Sequence, residues 1–101
     1  QKITAFNIER VKLWFELDAM NNQMCVYSGK TISARMILSD EVQVDHILPF
    51  SRTLDDSLNN KVLVMASENQ IKRNQTPYEA FGKDIEKWAA IQERAKKLPF
   101  N

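Results

Sequence analysis

Two short apolar runs limit what this chain can fold into. Val42, Val44 and Ile47 begin a β-branched stretch that Pro49 must terminate or bend, and residues 61–65 (KVLVM) form a continuous apolar segment of strand length. Residues 50–60 between them are polar and carry Arg52, Asp55 and Asp56. Two strands joined in this way are expected to pair antiparallel, with the intervening loop held at both ends.

Helical signals surround this pair. Over residues 3–22 the apolar residues Ile8, Val11, Phe15 and Ala19 recur at helical spacing, with Trp14 and Leu17 widening the stripe and Asn21 and Asn22 as stops. Residues 24–32 read as a short strand, a Ser28-Gly29 turn and a return strand, hence a hairpin or knuckle. Residues 34–38 suit one helical turn.

Ser67 and Gln70 have the spacing of a capping box, which predicts a helix from Ser67 to about Arg73. Thr76, Pro77 and Glu79 mark a second helix start, and Gly82 is expected to end it in the left-handed conformation. Asp84 then caps a last helix, in which Ile85, Trp88, Gln92 and Ala95 repeat beside Ile91 and Leu98, with Lys96 and Lys97 suited to its C-terminal dipole.

With 101 residues, 44% hydrophobic and 27% charged, the chain fits a single α+β domain with a modest core. Its expected parts are an N-terminal helix over 1–22, a core region over 24–75 and C-terminal helices over 76–101. Fourteen Lys and Arg against 13 Asp and Glu leave a net charge of +1, too little to grip a polyanion by field alone. The single cysteine, Cys25, excludes an internal disulfide and a structural zinc site built from several thiolates, and points to the cytosol. Neither a signal peptide nor a membrane-length apolar run is expected, and a chain opening at Gln1 reads as an excised or processed segment.

The order strand, loop, strand, helix brings the end of the first strand beside the start of the helix, so Asp45 and Asn69 are expected to face each other. A carboxylate and an amide oxygen are hard ligands, which ranks magnesium or manganese above zinc. His46 is the only histidine and the one side chain of a type that readily exchanges a proton near neutrality, which makes it a candidate general base. Neighbouring side chains on an ideal strand point to opposite faces, so Asp45 and His46 serve one site only if the strand ends or twists there. Each residue also has an ordinary reading: a structural histidine, a turn residue at Asn60, a helix-start residue at Asn69.

The segments CVYSGK (25–30), VDHILPFSRTLDDSLNNKVLV (44–64) and SENQIKRNQTPYEAF (67–81) resemble the HNH nuclease family, and more closely the HNH domain of type II CRISPR RNA-guided endonucleases, especially the compact type II-C branch. The resemblance implies a ββα-metal finger flanked by helices, in which His46 activates water and Asn60 orients that histidine. Asp45 and Asn69 would hold one Mg2+, with Mn2+ as a substitute. It further implies hydrolysis of the target DNA strand paired to a guide RNA, inside a much larger prokaryotic cytoplasmic protein whose split RuvC-like nuclease domain flanks this segment, in antiviral defence. Lys72, Arg52, Lys61 and Arg73 are the candidate phosphate contacts.

Two departures from the wider family accompany this match. Paired CxxC zinc knuckles are absent, and Asn69 stands where many members carry a histidine, giving a neutral, harder ligand. On this reading the isolated domain is a monomer that binds DNA weakly. The alternatives are a stand-alone homing or restriction endonuclease of the same family and a non-catalytic interaction domain that keeps the fold.

Overall fold

A computed structural model describes residues 4–20 and 22–99. Helix α1 (Ala5–Glu16) starts at Thr4, whose hydroxyl accepts from the Asn7 amide at 3.1 Å, and tightens into a 3₁₀ turn at Leu17–Met20. It therefore ends before Asn21, which, like Ile3 at the expected start, lies outside the described residues. The buried face is Arg10, Leu13, Leu17 and Met20; the stripe expected from the sequence is wrong at Ile8, Val11 and Phe15, which are 45%, 37% and 63% exposed.

The two stripes are two residues out of phase, about 200° around the helix. Arg10 decides between them. Its guanidinium donates to the carbonyls of Ile37, Ser39 and Val42, which satisfies loop carbonyls beside the sheet and turns that face inward.

Strands β1 (Val42–His46) and β2 (Lys61–Met65) pair antiparallel, with Val42 opposite Met65 and His46 opposite Lys61. The connection between them holds two short turns, α2 (Phe50–Thr53) and a 3₁₀ turn at Leu58–Asn60, rather than a plain loop. Residues 24–31 form the expected knuckle: a Met24 to Thr31 bridge closes it, the Gly29 amide donates to Cys25 O at 2.8 Å, and Gly29 adopts φ +76. This knuckle packs Cys25, Val26 and Tyr27 against Val62, Leu63 and Val64 in the core.

Helix α3 (Ala66–Lys72) follows β2 without a break. Met65, not Ser67, is its N-cap, and no side chain caps it, so the expected Ser67–Gln70 box does not form. The strand fixes the entry angle, so the helix begins a residue early and Ser67 falls inside it. Helix α4 (Pro77–Phe81) does carry its box, with Thr76 Oγ1 accepting from Glu79 N and Glu79 Oε1 from Thr76 N.

Gly82 is right-handed at φ −67, contrary to the left-handed end expected. Its need is for space: a Cβ there would lie 2.5 Å from Tyr78 O and 2.6 Å from a Tyr78 ring carbon. Helix α5 (Ile85–Ala95), capped by Asp84, buries Ile91, while Leu98 beyond it is also buried and Ile85 is 82% exposed. Arg94 reaches across to the carbonyls of Val26 and Tyr27 and ties α5 to the knuckle. Among the described residues no helix is long and apolar enough to cross a membrane.

Candidate active site

Strand β1 ends at His46, and the chain then leaves the sheet through Ile47, whose amide donates to Asn60 O at 2.8 Å, toward Pro49. That ending lets neighbouring residues share a site. Asp45, His46 and Asn69 line one cleft of about 410 Å³, together with Phe50, Ser51 and Arg73.

Asp45 is buried and doubly held. The Tyr27 hydroxyl donates to its Oδ2 at 2.7 Å, and Lys72 Nζ lies 3.2 Å from Oδ1 and 3.2 Å from Oδ2. Burial pushes the Asp45 carboxyl above the usual carboxylate range, and the Tyr27 hydrogen bond and the Lys72 charge oppose it. The Tyr27 phenol is driven well above its ordinary value by its own burial and then by Asp45.

Lys72 is fully buried and also donates to His46 O at 2.9 Å. The expectation that it reaches a DNA phosphate is therefore corrected: its ammonium neutralises Asp45 inside the fold. Lys61 is corrected in the same way. Its side chain is 9% exposed and lies between Glu9 Oε2 at 2.7 Å and Asp56 Oδ1 at 3.0 Å; the Glu9 hydrogen bond is the main cause that raises its pKa. Arg52 is exposed but paired with Glu79 at 2.6 Å. Of the four basic candidates only Arg73, exposed and at a positive φ of 52, borders the cleft.

His46 is half-exposed, with Nε2 2.7 Å from Asp56 Oδ1 and its ring 5.5 Å from that of Phe50. The same contact with His46, then that with Lys61, holds the Asp56 carboxyl below its usual range. Asn60 does not touch the imidazole through its amide. Its Oδ1 accepts from Leu48 N, and its Nδ2 donates to the carbonyls of Leu48 and Asp55, each at 2.9 Å. It ties Leu48 to Asp55 across the connection, and its backbone carbonyl holds the Ile47 amide beside His46.

Asn69 donates from Nδ2 to Gln43 Oε1 at 2.9 Å, which leaves its amide oxygen as the end available to a cation. Among the described residues no group of three or more His, Cys, Asp and Glu is placed to hold a metal ion. One carboxylate and one amide oxygen, completed by water and a phosphate, do fit a small hard ion. An ionised carboxylate has about four acceptor positions, so Tyr27 and Lys72 do not exhaust Asp45.

Tyr27, Gln43 and Asp56 are the contributors the sequence did not single out. Gln43 was reachable, since it shares a strand face with Asp45 two residues on. Tyr27 and Asp56 were not, because only the packed knuckle and the folded connection bring them in.

Residues 25–78, more than half of the chain, match the family of HNH endonucleases. The chain belongs to the HNH endonuclease family. This HNH domain is 44% identical over 99 residues to the CRISPR-associated endonuclease Cas9 of Campylobacter jejuni, covering 97% of the chain and 10% of that protein. It is also 44% identical over 82 residues to Cas9 1 of Streptococcus thermophilus, covering 79% of the chain and 7% of the relative. Its fold is similar to that in the crystal structure of Streptococcus thermophilus Cas9 in complex with the AGAA PAM, with a TM-score of 0.70 at 39% identity, over 86% of this chain and 9% of that one. The HNH domain spans about a tenth of the length of the relatives it matches.

Proposed function

We propose that this domain hydrolyses one DNA strand, the strand paired to a guide RNA, as part of a much larger Cas9-like effector. The observation that carries the reading is the convergence of Asp45, His46 and Asn69 on one cleft at the end of a ββα unit. Its family supplies the reaction class, and its small share of the relatives' length favours a domain over a stand-alone homing or restriction nuclease. The retained trio speaks against a non-catalytic interaction domain.

Asp45 and Asn69 would hold the divalent metal, for which Mg2+ fits best and Mn2+ would serve. When bound, that ion would offset negative charge growing on the phosphate and the leaving 3′ oxygen. His46 takes a proton from the attacking water, giving 5′-phosphate and 3′-hydroxyl products. Lys72 already neutralises part of Asp45, so these two residues alone would hold a cation weakly, and the negative charge of the DNA phosphate would strengthen its binding.

Few exposed cations face the cleft and the net charge is +1. DNA is therefore delivered by the rest of the effector, including a split RuvC-like domain, and the isolated monomeric domain binds DNA weakly. The setting this implies is the prokaryotic cytoplasm. The test is strand-resolved cleavage by the guide-loaded full-length protein: His46→Ala should slow cutting of the guide-paired strand by about a hundredfold or more and leave the other strand cut. Unchanged cutting of both strands overturns the assignment.

A further inference from the structure

Asp56 lies on the polar connection with its side chain 63% exposed, where a carboxylate needs no protein partner, yet its Oδ1 is 2.7 Å from His46 Nε2 and 3.0 Å from Lys61 Nζ. Lys61 is fixed from its other side by Glu9 of α1 at 2.7 Å. A line of alternating charge thus runs from α1 through β2 to the imidazole.

We propose that Asp56 is a positioning residue that fixes His46 as the Nε2–H tautomer and so makes Nδ1 the nitrogen that takes the proton from water. This rests on His46 being the base, as proposed above.

For a neutral ring the chemistry of the contact leaves one assignment. An ionised carboxylate only accepts, and the Lys61 ammonium only donates, to the same Oδ1. Hydrogen in the His46 to Asp56 contact must then come from Nε2, and a neutral imidazole with Nε2–H carries its lone pair on Nδ1. In the reaction, water gives a proton to Nδ1 as its oxygen bonds to phosphorus. The bond from phosphorus to the 3′ oxygen breaks with its electron pair, and solvent protonates the departing oxygen. His46 becomes an imidazolium directly against Asp56, which stabilises the positive charge as it forms.

The connection is built to hold this contact. Asn60 clamps Leu48 and the Asp55 carbonyl at 2.9 Å each, immediately before Asp56. Phe50 packs beside the imidazole, with 5.5 Å between ring centroids.

His46 is the only histidine, so 15N-labelled histidine gives a single set of ring signals. In the 101-residue chain, in buffer alkaline enough for a neutral ring, the expected spectrum is that of the Nε2–H form with its ring proton slow to exchange. Asp56→Ala should lose that proton to solvent, and Asp56→Asn, whose amide oxygen still accepts, should keep it. In the guide-loaded full-length protein, Asp56→Ala should lower kcat for the guide-paired strand about ten- to a hundredfold with little change in KM, with partial recovery in Asp56→Asn.

A ring proton on Nδ1, a ring signal indifferent to Asp56→Ala, or equal losses in the Ala and Asn variants with an unchanged ring overturns the proposal and makes Asp56 a loop anchor. Failure of the parent reading has a different signature. There, His46→Ala itself would leave the guide-paired strand cut at full rate, whereas an inactive His46→Ala beside a fully active Asp56→Ala removes only the positioning role.

Discussion

Replacing Asp45 by alanine should cost this domain much of its stability before any question of catalysis arises. Lys72 is completely buried, and its ammonium faces Asp45 at 3.2 Å; the Tyr27 hydroxyl, also buried, donates to the same carboxylate at 2.7 Å. Removing one member of a buried ion pair costs about 3–5 kcal/mol, because the other charge stays out of water. A buried hydroxyl left without its acceptor adds about 1–3 kcal/mol. Both losses pass through one carboxylate and do not add fully, so a total of about 4–6 kcal/mol is expected.

A domain of this size has about 5–15 kcal/mol in all. The assay is urea denaturation of the 101-residue chain in chelator, for Asp45→Ala, Lys72→Met and Asp45→Leu combined with Lys72→Met and Tyr27→Phe. The triple replacement, which removes every buried polar member, should lose less than about 2 kcal/mol. A loss below about 1 kcal/mol for Asp45→Ala, or additive effects of the single variants, would refute the buried triad. Inactivity of Asp45→Ala is therefore evidence about metal binding only after its folding has been measured.

Three further outcomes follow from particular contacts. Asn69→Ala should raise the Mg2+ concentration needed for half-maximal cleavage by the full-length protein about tenfold or more, whereas Asn69→Asp should raise it less; an unmoved midpoint in Asn69→Ala removes this residue as a ligand. The Thr76 amide and then Arg52 hold Glu79 below its ordinary value of 4.5, so its contribution to stability is complete above that pH and is lost as pH falls through the lower folded value. The urea midpoint of Glu79→Gln should accordingly depend less on pH below about 4.5 than that of the parent chain, with Asp55 and Asp56, also held low, supplying the acid sensitivity common to both. Gly82→Ala should destabilise by about 1–3 kcal/mol through the Tyr78 clash, despite an unstrained backbone, and should disturb the edge-on Tyr78 to Trp88 contact seen by near-ultraviolet circular dichroism.

Helix α1 shows where periodicity ends. Ile8, Val11 and Phe15 have the same spacing as Arg10, Leu13 and Leu17, and apolarity favours the first set, yet the second is inside. What selects it is three carbonyls, at Ile37, Ser39 and Val42, lying at least 27 residues away along the chain. Ser67 shows the same limit: its capping spacing is present, but β2 feeds directly into α3 and places it inside the helix. Lys72 and Lys61 carry a charge that reads as surface in any linear scan, and only the packed sheet turns both into internal partners of carboxylates.

The two strands and their antiparallel pairing, the helices that follow and the three residues around the cleft were legible in the linear chain. Those depend on local pattern and on the order of elements, which side-chain spacing, Pro49 and the Thr76 to Glu79 box carry directly. Packing settled which groups hold them: Tyr27 and Lys72 on Asp45, Asp56 on His46, and Gln43, which strand alternation had placed on the face of Asp45, on Asn69. Apart from the pairing of Asp56 with His46, across the connection between the strands, each joins residues at least 18 positions apart. The physical reason is that a buried polar group must find a partner wherever the fold provides one, and sequence distance carries no record of where that will be.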